Sequence, residues 1–146
     1  MKQFEEFIPL GEVKKVSPDL GLARSLLASS QNRITFLLPL PITERSATVI
    51  FENYYDALRE LCDAILAIEG FKSYSHIASI VFLSRYEEFS EQDIYLLDNA
   101  RQKRNQAKYY GKQVALQDTQ DLKTLFKGLT PRLMEVIRRI SKGKVK

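Results

Sequence analysis

Between residues 94 and 108 an apolar stripe turns cationic. Ile94 and Leu97 open it, and its continuation in steps of three and four lands on Arg101, Arg104 and Lys108. Burying unpaired cations costs roughly several kcal/mol each. This half of the segment must therefore meet carboxylates, a water-filled groove, a second subunit or a bound anion. Asn105, beside Arg104, reads as a positioner rather than a reactant. The structural alternative for Arg104 is a salt bridge to the acidic run Glu52, Asp56, Glu60 and Asp63. Those carboxylates recur at spacings of three and four, the mark of a solvated helix face, and without histidine support they make a poor metal site.

Other chemistries fall away by count. Cys62 is the sole cysteine and His76 the sole histidine, which excludes disulfide frameworks, zinc sites and two-histidine catalysis. Cys62 lies in an apolar helical stretch and reads as an inert thiol. His76 is some 30 residues from the cationic stripe and forms no triad spacing, so it reads as a helix-start or core residue. Gly143-Lys144 has no glycine-rich lead-in, so no phosphate loop is present. No cofactor or metal is called for.

These residues need a scaffold, and 146 residues with 45% hydrophobic content suffice for one domain with a real core. The net charge of +4 hides a division. Residues 1–100 carry 9 Lys/Arg against 15 Asp/Glu, whereas residues 101–146 carry 13 against 3. The last third is where an anion is attracted. Residues 1–16, with Pro9 and Gly11, show no period and are expected to form an irregular arm, residues 17–141 a helical bundle and residues 142–146 a basic tail.

Ser17-Pro18-Asp19 reads as the start of a first helix running to the Pro39-Leu40-Pro41 stop. A second opens at Thr43-Glu44 and carries Ile50, Tyr54, Leu58, Leu61, Ile65 and Ile68 on one face up to Gly70. Ser73 to Arg85 reads as a shorter third helix, with a strand over Ile80-Val81-Phe82 as the weaker choice. Ser90 with Asp93 caps a fourth, which ends at Gly111. Leu122 to Ile140 forms the fifth, with a kink or break expected at Gly128 and Thr130-Pro131. No hairpin signal is present. The expected fold is all-α, an up-and-down antiparallel bundle of about five helices.

The order Leu97, Arg101, Arg104-Asn105, Tyr109-Tyr110-Gly111 on a fourth helix resembles the HEPN family, the higher eukaryote and prokaryote nucleotide-binding domains. That family's motif is an Arg, commonly followed by Asn, and then a His a few residues on. Arg104-Asn105-Gln106-Ala107-Lys108-Tyr109 matches the Arg-Asn portion and the spacing but holds Tyr109 in place of the His. The Phe51 to Ala57 segment, Ser75-His76 and Phe82-Leu83 agree with the layout, and the resemblance spans residues 43–140.

The resemblance implies a homodimeric or heteromeric bundle whose two motif copies face each other across a cleft. Many members are metal-independent RNases, some of them toxins of toxin and antitoxin pairs; others partner a minimal nucleotidyltransferase or bind nucleotides without cutting. A phenol, with an ordinary pKa near 10, would need a shift of about three units, about 4 kcal/mol, to act as a base at pH 7. Arg104 and Tyr109 also stand about 140° apart on a continuous helix, so they meet one ligand only if the helix ends early or a second chain supplies the opposite wall.

The expected site is therefore an anion- or nucleotide-binding cleft of Arg101, Arg104, Asn105, Lys108 and Tyr109, in a dimer that binds RNA, a nucleotide or a nucleotidyltransferase partner without independent catalysis. An RNase using Arg104 and Tyr109 is the alternative, and a structural helical dimer the second. Tyr109 and Tyr110 read either as aromatic caps on the bundle or as hydroxyls that a partner modifies. No segment approaches the ~20 apolar residues of a membrane span, and no signal peptide opens the chain, so the expected location is cytoplasmic.

Overall fold

Asp19, Ser75 and Ser90 each turn a side-chain oxygen onto the backbone N–H three residues ahead, and a helix begins after each. The computed structural model describes residues 1–144. It is an all-α bundle of five helices: α1 (Leu20–Leu37), α2 (Ala47–Glu69), α3 (His76–Val81), α4 (Glu91–Tyr110) and α5 (Leu116–Lys144). Two short strands, β1 (Val13–Lys15) and β2 (Phe71–Ser73), add an antiparallel ribbon.

The centre of the fold is α2. Tyr54, Leu58, Leu61, Ile65 and Ile68 are fully buried on the expected stripe, with α1 on one side and α5 on the other. Ser30 of α1 donates its hydroxyl to the Ala57 carbonyl, while the Asp19 N–H reaches Ala67, so α1 and α2 run antiparallel. Arg104 of α4 meets Asp56 of α2, and Asp93 and Lys103 of α4 meet Arg132 and Asp118 of α5. The four long helices thus alternate up and down. Six-residue α3 is too short to cross the bundle, and it forms the corner between α2 and α4.

Local chemistry corrects several sequence expectations. The first helix is capped by Asp19, whose carboxylate accepts from the Leu22 N–H at 2.9 Å, rather than by Ser17. The preceding backbone is held alongside the end of α2, where the Val16 N–H donates to the Gly70 carbonyl at 2.9 Å. Thr43 and Ser46 exchange hydrogen bonds in a turn, which delays α2 to Ala47. Residues 71–73 leave the expected third helix to pair with β1, in the register Val13 with Ser73 and Lys15 with Phe71.

The N-terminal arm is built into the fold, because Phe4, Phe7 and Val13 are buried and the Phe4 ring meets Phe71 and Phe82 edge-on at 5.2 and 4.6 Å. At the other end α5 runs unbroken through Gly128 and Pro131. Leu129 and Leu133 are fully buried on either side of Pro131, and the Thr130 hydroxyl bonds the Phe126 carbonyl at 2.7 Å, so packing holds the helix across the missing donor. Lys142 and Lys144, expected in a tail, belong to α5; residues 145 and 146 lie outside the described residues. Among the described residues, no helix is long and apolar enough to cross a membrane.

Candidate functional site

The Ser90 and Asp93 capping box sets the start of α4, and Gly111, at φ +68, ends it. Between these stops the cationic stripe divides. Arg101 donates Nε–H to Asp98 of its own helix at 2.8 Å, and Asp98 also accepts from Gln102 at 2.9 Å. Arg104 turns inward and is 4% exposed. Its Nη2 lies 3.3 Å from Asp56 of α2, the in-chain partner that the salt-bridge reading named.

That one bond leaves the guanidinium underused. Nε and Nη1 of Arg104 are buried and have no hydrogen-bond partner among the described residues. An unmade bond of this kind costs about 1–3 kcal/mol per group, more beside a formal charge. The buried Asn105 Oδ1 and Tyr55 hydroxyl are also unpartnered, and the Tyr55 ring lies 5.9 Å from the Arg104 guanidinium carbon. Apart from the Tyr54 hydroxyl, whose ring packs on Phe126 of α5, the buried side-chain atoms without partners among the described residues belong to neighbouring positions of α2 and α4.

Two residues outside the sequence expectation join this cluster. Arg59, one turn beyond Tyr55 and Asp56, pairs with Asp63 at 3.6 Å. His76, half-buried at the start of α3, lies in the field of Arg59, Arg104 and Arg101. Burial first, and then those three positive charges, lower its pKa to about 4 against the partial opposition of Asp56. The imidazole is thus neutral at pH 7. Sequence distance had set His76 apart from the arginines, but the corner formed by short α3 brings it back to them. Burial likewise pushes the Tyr55 hydroxyl up, with Arg59, Arg101 and Arg104 pulling the other way.

Lys108 and Tyr109 stand elsewhere. Lys108 is exposed, with its ammonium 5.8 Å from the Tyr109 ring centre, and Tyr109 and Tyr110 are 64% and 78% exposed. Because α4 continues through Tyr110, one chain does not bring Tyr109 to buried Arg104. The paired use of Arg104 and Tyr109 thus has no basis within a single chain, and His76 is the titratable side chain that does stand in the arginine field. Cys62 is buried, and desolvation raises its thiol pKa, leaving it inert as expected. Among the described residues no three His, Cys, Asp or Glu side chains converge as a metal shell.

The arrangement comprises three guanidiniums, each with one carboxylate, around a neutral imidazole and a buried phenol. Its unpartnered buried atoms are the Nε and Nη1 donors of Arg104, the Asn105 Oδ1 acceptor and the Tyr55 hydroxyl, and the two donors on a buried cation suit an oxyanion. Compared with family models, curated proteins and solved structures, the chain matches none.

Proposed function

We propose that this chain is a HEPN-like helical domain whose α2–α3–α4 face binds a phosphate-bearing ligand, a nucleotide or RNA. It acts as a binding or partner component rather than as an independent catalyst. The observation that carries this reading is the pair of buried, unpartnered nitrogens on Arg104. A single ion pair leaves half of this buried guanidinium unused, and a phosphate oxygen admitted between α2 and α4 would satisfy it. A homodimer, or a complex with a minimal nucleotidyltransferase, is the assembly that the HEPN resemblance implies.

His76 favours one second reading, a metal-independent RNase. Its imidazole lies in the field of Arg59, Arg104 and Arg101, and the motif's own His is missing from α4. Magnitude decides the order of the two. A histidine with a pKa of about 4 is only about 0.1% protonated at pH 7, and so is poorly matched to giving up a proton there.

Fluorescence anisotropy with a short 5′-labelled single-stranded RNA in chelator, with a gel run on the same samples, tests both readings. Saturable binding by wild type, lost at least tenfold in Arg104→Met with the RNA intact, is the expected result. Cleavage that disappears in Arg104→Met and in His76→Gln would establish the RNase reading instead. Equal RNA affinity in wild type and Arg104→Met would reject an Arg104 anion site.

A further inference from the structure

We propose that the outer edge of β2 receives an extended acidic segment of a partner protein as a third strand, with apolar side chains in the groove along that edge and carboxylates on Lys72 and Lys14. The charge that calls for such a partner is built into the ribbon. Lys14 and Lys72 stand directly opposite each other across the ladder, both exposed, and exposed Lys15 follows on β1. Like charges at opposed positions destabilise a strand pair. Among the described residues none of these three lysines forms an ion pair, although Glu12 lies two residues before Lys14 in the chain. The Lys72 ammonium lies 5.4 Å from the centre of the Tyr74 ring instead.

The backbone of β2 is open on the side away from β1. The Tyr74 N–H donates to the Glu12 carbonyl at 2.7 Å and the Val16 N–H to the Gly70 carbonyl at 2.9 Å, one step beyond either end of the ladder. Bonded pairs alternate along an antiparallel ladder, so Lys14 and Lys72 bond each other, and Phe71 and Ser73 direct their backbone N–H and C=O groups outward. A groove of about 570 Å³ runs along this side. It is lined by all three residues of β2 and by none of β1, which places it at the outer edge of the ribbon rather than under its face.

The groove is apolar at its base, where Leu22 and Leu26 of α1 meet Leu66 of α2, and Leu22 is 49% exposed. Two carboxylates also line it, and both are engaged: Asp63 pairs with Arg59, and Asp19 accepts from the Leu22 N–H. The charge left open along the edge is lysine. Side chains of an added strand alternate between two faces. One set meets the leucines, and the other lies beside Lys72, which faces solvent between half-buried Phe71 and Ser73. Charge and pleat together specify a short segment of alternating apolar and acidic residues, bound by strand addition. A lone edge lysine serves to keep sheets apart, but that purpose needs neither a second lysine set against the first nor an apolar groove.

Fluorescence anisotropy of the full chain with a short labelled peptide alternating valine and glutamate tests this. The same peptide N-methylated at alternate backbone amides, a valine and lysine counterpart and a labelled oligouridylate run beside it. The expected result is saturable binding of the valine and glutamate peptide, weakened at least tenfold by N-methylation and by Lys72→Glu, with Lys72→Glu taking up the valine and lysine peptide instead. Lys14→Glu sets an opposite charge against Lys72 and competes for it, so it should weaken the peptide while its thermal midpoint stays at or above that of wild type. No binding by wild type, equal affinity for the N-methylated peptide, or unchanged affinity in Lys72→Glu would overturn the added strand. Tighter binding of oligouridylate than of the peptide, lost in Lys72→Glu, would overturn it in favour of a phosphate-binding ribbon.

Discussion

In the proposed site Arg104 would meet a phosphate through the nitrogens that the fold leaves unsatisfied, so ligand affinity and stability should separate at this residue. Replacing it with methionine removes a buried charge and two unmet donors, while Asp56, still 26% exposed in its side chain, keeps access to water. Removing one partner of an ion pair is costly where the other is left buried, and the exposure of the Asp56 side chain spares Arg104→Met that cost. Arg104→Met is therefore expected to keep its urea midpoint within about 1 kcal/mol of wild type while losing phosphate affinity. A loss of several kcal/mol with affinity intact would make Arg104 a structural bridge.

His76 makes a second prediction, in pH. Its folded pKa, about 4, lies below its unfolded value of 6.5, so the unfolded chain binds the proton more readily. Stability from this residue is complete above pH 6.5, declines as pH falls toward 4, and is lost below it. Its cause is burial together with Arg59, Arg104 and Arg101, against Asp56. Urea unfolding at pH 7.5 and pH 5 should show wild type losing more stability than His76→Gln between the two; equal losses would contradict this placement of the imidazole.

At the level of elements, α2 and its end organise the rest. Gly70 sits at φ +86, and a Cβ there would stand 2.8 Å from the Val16 carbonyl oxygen, backbone that cannot step aside. Gly70→Ala should cost about 2 kcal/mol or more, from left-handed strain plus this clash. Gly111, at φ +68, has nothing within 4 Å of such a Cβ, and Gly111→Ala should cost only about 1 kcal/mol. Thermal unfolding of the two variants side by side checks the order; an equal cost would remove the steric role of Val16.

Helix stops and caps such as Ser90 with Asp93, Gly70 and Gly111 were legible in the chain because each is a local contract between neighbouring residues. The β1–β2 ribbon was not, because its strands lie far apart in sequence and carry no turn signal. Pro131 was misread for a related reason: the packing of Leu129 and Leu133 that carries α5 through it is tertiary. The candidate site divides in the same way. Arg101 and Arg104 stood out from their spacing on α4, whereas Arg59 joined them through the meeting of α2 with α4 and His76 through the corner made by α3.

Taken as a whole, the molecule places a cationic cluster on a rigid, aromatic-rich core. Phe71 of β2 and Phe82 of the turn Phe82–Arg85 meet Phe4 edge-on, and Phe82 meets Tyr86 in the same way, next to the corner that carries His76. Phe4→Ala should cost about 3 kcal/mol, measured by urea unfolding, because the N-terminal arm closes the core rather than hanging free. A change under 1 kcal/mol would show that the arm is dispensable. Binding at the cluster should also weaken as salt rises, as ion-paired ligands do.

The proposed phosphate lies among Arg59, Arg101, Arg104 and His76, and His76 is the only histidine in the chain. Its imidazole C–H resonance is therefore a single reporter inside the proposed site, and the measurement to make is its NMR titration with and without ribose 5-phosphate. A bound phosphate offsets the three guanidinium charges and favours the imidazolium, so the pKa of about 4 should rise on adding ligand in wild type and stay put in Arg104→Met. An identical titration curve for wild type in the presence of millimolar ribose 5-phosphate would contradict it.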